Sequence, residues 1–292
     1  MTKASIVPRP CLKWAGGKRE LIKSIDQNGY IPENIETYYE PFFGAGAVFF
    51  YLWRTEKVEK AILSDLNFEI YNVHNQIKNN VHKLIEYSYE MDISPNERTY
   101  YINRDRFNDL RLKEKCSNDE LLERAILMIY LNKNAYSGMY RENNKGQFNV
   151  PFGYYTNPTI IDEENLIEMN KSFKKVTFMH GDYEEILNKM KPNNNDFVYL
   201  DPPYMPCKGV SEFRKYNKNG FNINDQERLS EFYLKLTNNK IKTMLSNSTS
   251  EFISTLYKDI PHTTIKEISA KRAINAKNEG WKNVNEYLIM NY

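Results

Sequence analysis

Apolar residues along this chain fall into two kinds of run, and the switch between them divides the sequence. Ala61-Ile62-Leu63, Val176-Thr177-Phe178-Met179, Phe197-Val198-Tyr199-Leu200 and Lys242-Thr243-Met244-Leu245 are short and rich in β-branched, aromatic and aliphatic residues. Such runs predict buried strands. Between residues 71 and 125 there is no glycine and the one proline is Pro95, while Leu121, Leu122, Ala125, Ile126 and Ile129 recur at helical intervals. That stretch reads as a helical insert. Residues 132–152 change character again: Gly138, Gly146 and several Asn predict a hairpin or long loop ending in the strand-like Gln147-Phe148-Asn149-Val150. After Pro158 strands and helices alternate once more. The pattern predicts an α/β sheet domain, residues 1–70 and 155–292, interrupted at 71–154 by a mostly helical insert with a hairpin loop.

Composition narrows the class. With 292 residues, 41% hydrophobic and 27% charged, the chain has the make-up of a globular protein with a large core. No run approaches the roughly 20 apolar residues of a membrane span, and the first ten residues lack a signal-peptide core, so a cytoplasmic protein is expected. Cys11, Cys116 and Cys207 are odd in number and far apart, which suggests neither a disulfide framework nor a zinc site. His74, His82, His180 and His262 show no ligand spacing, and His74 and His82 read as surface or half-buried helix residues. No metal is expected. The net charge of +2 does not announce a polyanion partner, but its distribution is suggestive. Basic residues cluster at Arg98, Arg104, Arg106, Arg111, Lys113 and Lys115, at Lys208, Arg214, Lys215 and Lys218, and at Lys266, Lys271, Arg272, Lys277 and Lys282. Each group is a candidate for phosphate contacts or simply a solvated face.

Candidate chemistry sits where two strands end. Asp201-Pro202-Pro203-Tyr204 follows the strand-like run 197–200, at the ligand edge of an open α/β sheet. An Asp carboxylate and a backbone carbonyl are both acceptors, and together they can hold the two hydrogens of an exocyclic amine on a flat ring. Pro203 stiffens the turn, and Tyr204 offers a face for stacking. Taken alone, the four residues also suit an ordinary strand-to-loop turn. Upstream, Glu40-Pro41-Phe42-Phe43-Gly44-Ala45-Gly46 is a glycine-rich turn whose paired glycines let backbone approach a ligand. Asp65 closes a second strand about twenty residues later, a position suited to two ribose hydroxyls. Turn, spacing and acid describe a nucleoside-bearing cofactor.

These elements occur in a fixed order. Lys13-Trp14-Ala15-Gly16-Gly17-Lys18 comes first, then the 40–50 segment, Ser64-Asp65-Leu66-Asn67, and the string NKNAYSGMYRENNKGQFNVPFG over 132–153. His180-Gly181-Asp182-Tyr183, the Asp201–Tyr204 tetrapeptide, Ser246-Asn247 and Glu286-Tyr287-Leu288-Ile289-Met290-Asn291-Tyr292 follow. The combination resembles the Dam-type, alpha-group, site-specific DNA adenine-N6 methyltransferases over nearly the whole chain. The resemblance implies a Rossmann-like S-adenosylmethionine-dependent sheet with an inserted DNA-recognition region. It implies transfer of a methyl group to a flipped-out adenine in double-stranded DNA, within GATC or a related site, with Asp201, Pro202, Pro203 and Tyr204 as the catalytic element.

By the same resemblance Trp14, Lys18, Glu40, Phe42, Gly44, Gly46, Asp65, Asp182, Tyr183 and Asp201 would hold the cofactor. Trp14 and Lys18 would line its methionine end and Asp182 would read its adenine, although Asp182 also reads as a helix N-cap. Lys13, Asn132, Tyr136, Ser137 and Arg141 would meet DNA, Arg141 on a guanine, for which a phosphate contact or a salt bridge is the competing role. Ser137, Met139 and Tyr140 stand where the family commonly has Asn, Leu and Cys. A monomer is expected, and the sequence leaves open whether a companion restriction endonuclease exists at system level. An RNA adenine methyltransferase and a catalytically silent DNA-binding subunit are the alternatives.

Overall fold

A computed structural model describes residues 7–14, 16–205, 221–273 and 281–292, with the backbone alone for residues 270–273 and 281–284. The basic groups expected around Lys208–Lys218 and at Lys271, Arg272, Lys277 and Lys282 lie outside what is described in side-chain detail. In chain order the elements are α1 (Arg19–Gln27), β1 (Tyr38–Glu40), α2 (Ala47–Arg54), β2 (Ala61–Asp65), α3 (Phe68–Glu90), α4 (Glu97–Arg111) and α5 (Asn118–Asn134). Then come α6 (Glu163–Ser172), β3 (Val176–His180), α7 (Tyr183–Met190) and β4 (Phe197–Leu200). The rest are α8 (Ile223–Asn238), β5 (Lys242–Ser248), α9 (Glu251–Tyr257), β6 (Thr264–Ala273) and β7 (Trp281–Met290).

The strands form one seven-stranded sheet in the order β3-β2-β1-β4-β5-β7-β6. β1 runs parallel to β2 and to β4, and β4 parallel to β5, whereas β7 is antiparallel to β5 and β6. The strand order reverses between β1 and β4, and ligands of open α/β sheets bind beyond the carboxyl ends at that switch point. Glu40 ends β1 and Asp201 follows β4, so both carboxylates stand at that edge. No described helix is long and apolar enough to cross a membrane.

The chain divides into two compact units. One comprises residues 1–17, 44–50 and 65–180. Its core joins Ile70, Val73, Ile77 and Leu84 of α3, Phe107 and Leu110 of α4, and the continuous run Ala125–Leu131 of α5, all almost wholly buried. α5 begins in a capping box, Ser117 bonding the Glu120 amide and the Glu120 side chain bonding back, which satisfies two otherwise orphan donors. Asn67 and Asn96 cap α3 and α4 in the simpler way. The other unit, residues 18–43, 51–64 and 181–292, is centred on β4 and its neighbours. Tyr38, Leu63, Phe197–Leu200, Met244, Leu245, Leu288 and Ile289 are buried there.

Two sequence expectations need correction. His74 is neither surface nor half-buried: it has no exposure, its Nδ1 lies 2.8 Å from the Ile70 carbonyl and its ring stacks on Phe178 at 5.8 Å. Burial pushes its pKa down to about 4, so the imidazole is neutral core. The run Gln147–Val150 makes no extended strand. It pairs through one isolated bridge, Phe148 with Glu142, because the side-chain amide of Asn108 takes the Phe148 backbone bonds that a second strand would otherwise make.

Candidate active site

In the sheet unit, the tetrapeptide after β4 is fixed by ionic and polar contacts on every side. Asp201 Oδ2 lies 2.7 Å from Lys18 Nζ, and the two side chains are 19% and 4% exposed. Asp201 Oδ1 accepts from Ser246 Oγ at 3.1 Å, and Ser246 Oγ lies 2.7 Å from the Tyr199 hydroxyl. Lys18 sits at the N-cap of α1 and places its ammonium 4.7 Å from the centre of the Tyr204 ring, within reach of a cation–π attraction. The Tyr204 hydroxyl donates to Glu286 Oε2 at 2.5 Å. Burial, with Asp201 and Glu286 nearby, holds the Tyr204 pKa well above its usual value, so the ring is neutral.

The exit from the tetrapeptide is equally constrained. The Pro203 carbonyl accepts from Gln226 Nε2 at 2.9 Å. Gln226 Oε1 in turn accepts from Asn247 Nδ2 at 3.1 Å, and Asn247 Oδ1 accepts from the Met205 amide at 3.2 Å. Gln226 and Asn247 have no exposure, and a buried amide pair with its hydrogen bonds satisfied gives a rigid mount.

The remaining sheet-unit candidates flank this edge of the sequence. Glu40 is buried and its Oε2 accepts from the Tyr38 hydroxyl at 2.9 Å. Phe42 packs 5.3 Å from Tyr183. Asp182 is the N-cap of α7, its Oδ1 accepting from the Glu184 amide at 2.9 Å, while its Oδ2 pairs with Arg228 Nη2 at 2.6 Å. Arg228 also stacks over Tyr183 at 4.8 Å.

The helical unit carries the other candidates. Asp65 accepts from the Gly44 amide through Oδ2 and from the Asn67 amide through Oδ1, each at 2.8 Å. Burial raises its pKa to about 6, against the pull of those two amides and of His180. Gly44 and Gly46 both have positive φ. A Cβ on Gly44 would fall 2.8 Å from Cδ1 of Trp14, so the turn and the indole pack backbone to ring. Trp14 also lies 5.5 Å from Tyr140.

Among the residues expected at DNA, Tyr136, Ser137, Arg141 and Lys13 are exposed, whereas Asn132 is buried. The Asn132 amide accepts from the Lys13 backbone N–H at 2.7 Å and donates to the Lys13 and Gly138 carbonyls. It stands behind Lys13 as a support. Ser137 adopts a left-handed conformation with φ of 55°, which throws its side chain and that of Tyr136 outward on a tight turn. Arg141 Nε donates to Asn149 Oδ1 at 2.8 Å. Three of the six basic residues on and just after α4 are engaged in the ion pairs Arg106 with Glu123, Arg111 with Glu69 and Glu142, and Lys113 with Glu120.

The profile of the D12 class N6 adenine-specific DNA methyltransferases matches residues 14–274. The chain belongs to this family. As a member it is an S-adenosylmethionine-dependent DNA adenine methyltransferase with the Rossmann-like sheet described above. This methyltransferase is 41% identical to the type II methyltransferase M.MjaIII of Methanocaldococcus jannaschii, over 97% of its own chain and 99% of that protein. It is 37% identical to the type II methyltransferase M1.LlaDCHI of Lactococcus lactis subsp. cremoris, over 100% and 98%. It is also similar to a DNA adenine methylase of Serratia marcescens, with 31% identity over 97% and 98%.

The residues of the methyltransferase suit its cofactor on chemical grounds. Asp65 retains acceptor capacity beyond the two amides that fix its carboxylate, as two ribose hydroxyls require. Phe42 is half-buried and packs on the buried Tyr183 ring, an aromatic pair of the kind a nucleoside can lie against. Among the described residues no group of His, Cys, Asp and Glu could hold a metal ion. Four polar residues now attached to the site, Gln226, Arg228, Asn247 and Glu286, had no assigned role in the sequence reading. Glu286 carried a signal: it shares strand parity with Leu288 and Met290, and all three are buried, so a carboxylate was placed on an apolar face.

Proposed function

We propose that this methyltransferase acts on adenine N6 within GATC or a closely related site of duplex DNA, with Asp201–Tyr204 as its catalytic element and residues 71–154 as its recognition region. The observation that carries the reading is the state of Asp201. One oxygen is tethered by the buried Lys18 and the other by Ser246, so the carboxylate has a fixed direction and unused lone pairs. An amine hydrogen of the extruded adenine meets Asp201 and the other the Pro202 carbonyl, which draws the N6 lone pair out of conjugation. Tyr204, its hydroxyl anchored on Glu286, presents a ring on which the base stacks, offsetting the few kcal/mol that unstacking costs.

S-adenosylmethionine would supply an electrophilic methyl group, with Asp65 proposed for its ribose and Asp182, Tyr183, Phe42 and Glu40 among the residues proposed to hold it. Bound there, it would give its methyl group to the N6 lone pair and keep the electrons of the broken methyl–sulfur bond. The surplus N6 proton passes to an Asp201 oxygen and on to solvent. Nothing is covalently attached to the protein, so positioning and electrostatics supply most of the acceleration. Lys13, Tyr136, Ser137 and Arg141 would face DNA, with Arg141 on the O6 and N7 acceptors of a guanine. Two of the relatives are named type II methyltransferases, which supports a protective role beside a restriction endonuclease.

The test is Asp201→Ala, assayed for methyl transfer and for duplex binding in parallel. Transfer is expected to vanish while specific binding persists. Transfer near the wild-type rate would remove Asp201 from the mechanism.

A further inference from the structure

The segment that carries Arg141 is a hairpin with few backbone bonds of its own. The Asn143 amide donates to the Gln147 carbonyl at 2.9 Å, the Gly146 amide to the Asn143 carbonyl at 2.9 Å and the Asn149 amide to the Arg141 carbonyl at 3.1 Å. Three such bonds with an isolated bridge leave a two-armed hairpin marginal in water, so its position must be set from outside. The structure supplies that hold from α4, where Asn108 and Arg111 stand three residues apart and so share a helix face.

Asn108 mimics a strand residue. Its Oδ1 accepts from the Phe148 amide at 2.7 Å and its Nδ2 donates to the Phe148 carbonyl at 3.1 Å, while Phe148 itself is buried. Arg111 uses its whole guanidinium fork. Nη1 donates to the Gly146 carbonyl at 2.7 Å, Nη2 to Glu142 Oε1 at 2.5 Å, and Nε to Glu69 Oε1 at 2.8 Å. The same Glu142 oxygen accepts from the Tyr140 hydroxyl at 2.5 Å. Glu69 is 1% exposed and is held again by Arg124, whose Nη2 donates to Oε1 at 2.5 Å. The fork thus spans the first arm and the tip of the hairpin from a charge that is itself immobilised.

The chain of contacts ends at the reading residue. Asn149 follows the Phe148 that Asn108 grips, and Asn149 Oδ1 orients the Arg141 guanidinium. We propose that Asn108 and Arg111 are positioning residues for base selection, which fix where the Arg141 guanidinium is presented without touching DNA themselves. The inference rests on the reading above that Arg141 selects a guanine. It also gives Arg111 a different place from the phosphate contact its basic cluster suggested. Lysine cannot replace it, because a point charge on a flexible stem does not satisfy three acceptors in one plane.

The experiment compares the full-length wild type with Arg111→Lys, Arg111→Met and Asn108→Leu, each with S-adenosylmethionine. Methyl transfer is measured on a GATC duplex and on a duplex with the guanine replaced, together with the salt dependence of binding. The wild-type ratio of kcat/KM between the two duplexes is expected to fall about tenfold or more in the variants, with kcat on the GATC duplex little changed. The slope of log affinity against log salt is expected to stay at the wild-type value, because a lost phosphate contact would lower it by about one. Hydrogen exchange over residues 141–149 should be faster in each variant. Arg111→Lys keeps the charge, so it carries the test if Arg111→Met does not fold. Unchanged discrimination in folded variants, or a slope lowered by one, overturns the inference alone. Absence of discrimination by the wild type overturns the guanine reading and this inference with it.

Discussion

Replacing Lys18 by Met removes one partner of an ion pair whose N–O distance is 2.7 Å and whose side chains are 4% and 19% exposed. Losing one member of a buried pair typically costs about 3–5 kcal/mol, since the remaining charge stays desolvated. Asp201 keeps Ser246 and some contact with water, which puts Lys18→Met near the low end, about 3 kcal/mol. Asp201→Asn leaves Lys18 with an amide oxygen and the Tyr204 ring, and the expected loss is about 2 kcal/mol. With both changed, neither member of the pair is left as a charge without the other. The double variant should therefore sit near the worse single one, a coupling of about 2 kcal/mol. Urea unfolding of the four proteins gives the cycle directly, provided the slope of stability against urea is shared. A double variant whose loss equals the sum of the singles within about 0.5 kcal/mol would refute the pair as the tether of Asp201.

Other consequences follow from the same geometry. Asp65, with its pKa raised to about 6, accepts hydroxyls more strongly when ionised, so KM for S-adenosylmethionine is expected to climb as pH falls below about 6, and Asp65→Asn should flatten that profile. The sign for stability is opposite: the folded state binds this proton more readily than the unfolded one, so the contribution is full below 3.8 and lost as pH rises through about 6. Glu286→Ala strips the acceptor from the Tyr204 hydroxyl, and loss of a hydrogen bond to a charged group, about 1.5–3 kcal/mol, should lower kcat/KM roughly 10- to 100-fold. Unchanged kinetics would show that Tyr204 needs no anchor. Arg228→Ala frees one Asp182 oxygen and bares the Tyr183 ring. It should alter the S-adenosylmethionine KM while leaving kcat near wild type, and an effect on kcat alone would argue against an adenine-end role for Asp182.

Much of this was legible in the residue pattern because two signals are local. A short apolar run followed by Asp201, and a glycine turn followed by an acid at Asp65, declare strand ends with carboxylates, and the sheet order then brings Glu40 and Asp201 to one switch point. The partners of those carboxylates were not legible. Ser246, Gln226 and Glu286 come from distant elements, and their meeting depends on β5 pairing β4 on one side and β7 on the other. His74 misled for a related reason: a histidine on a helix looks half-polar in sequence, but an intrahelical bond to Ile70 allows it to be buried neutral. The ion pairs of Arg106 and Arg111 with Glu123, Glu69 and Glu142 were not legible either, because charge in sequence does not reveal which acids a basic side chain faces.

The most direct measurement is transfer of labelled methyl from S-adenosylmethionine to two matched duplexes, one containing GATC and one with its guanine replaced, followed by nucleoside analysis. The account predicts label as N6-methyladenine in the first duplex and little in the second. Equal label in both would contradict the guanine reading by Arg141, and no label in either would contradict catalysis at Asp201 on duplex DNA.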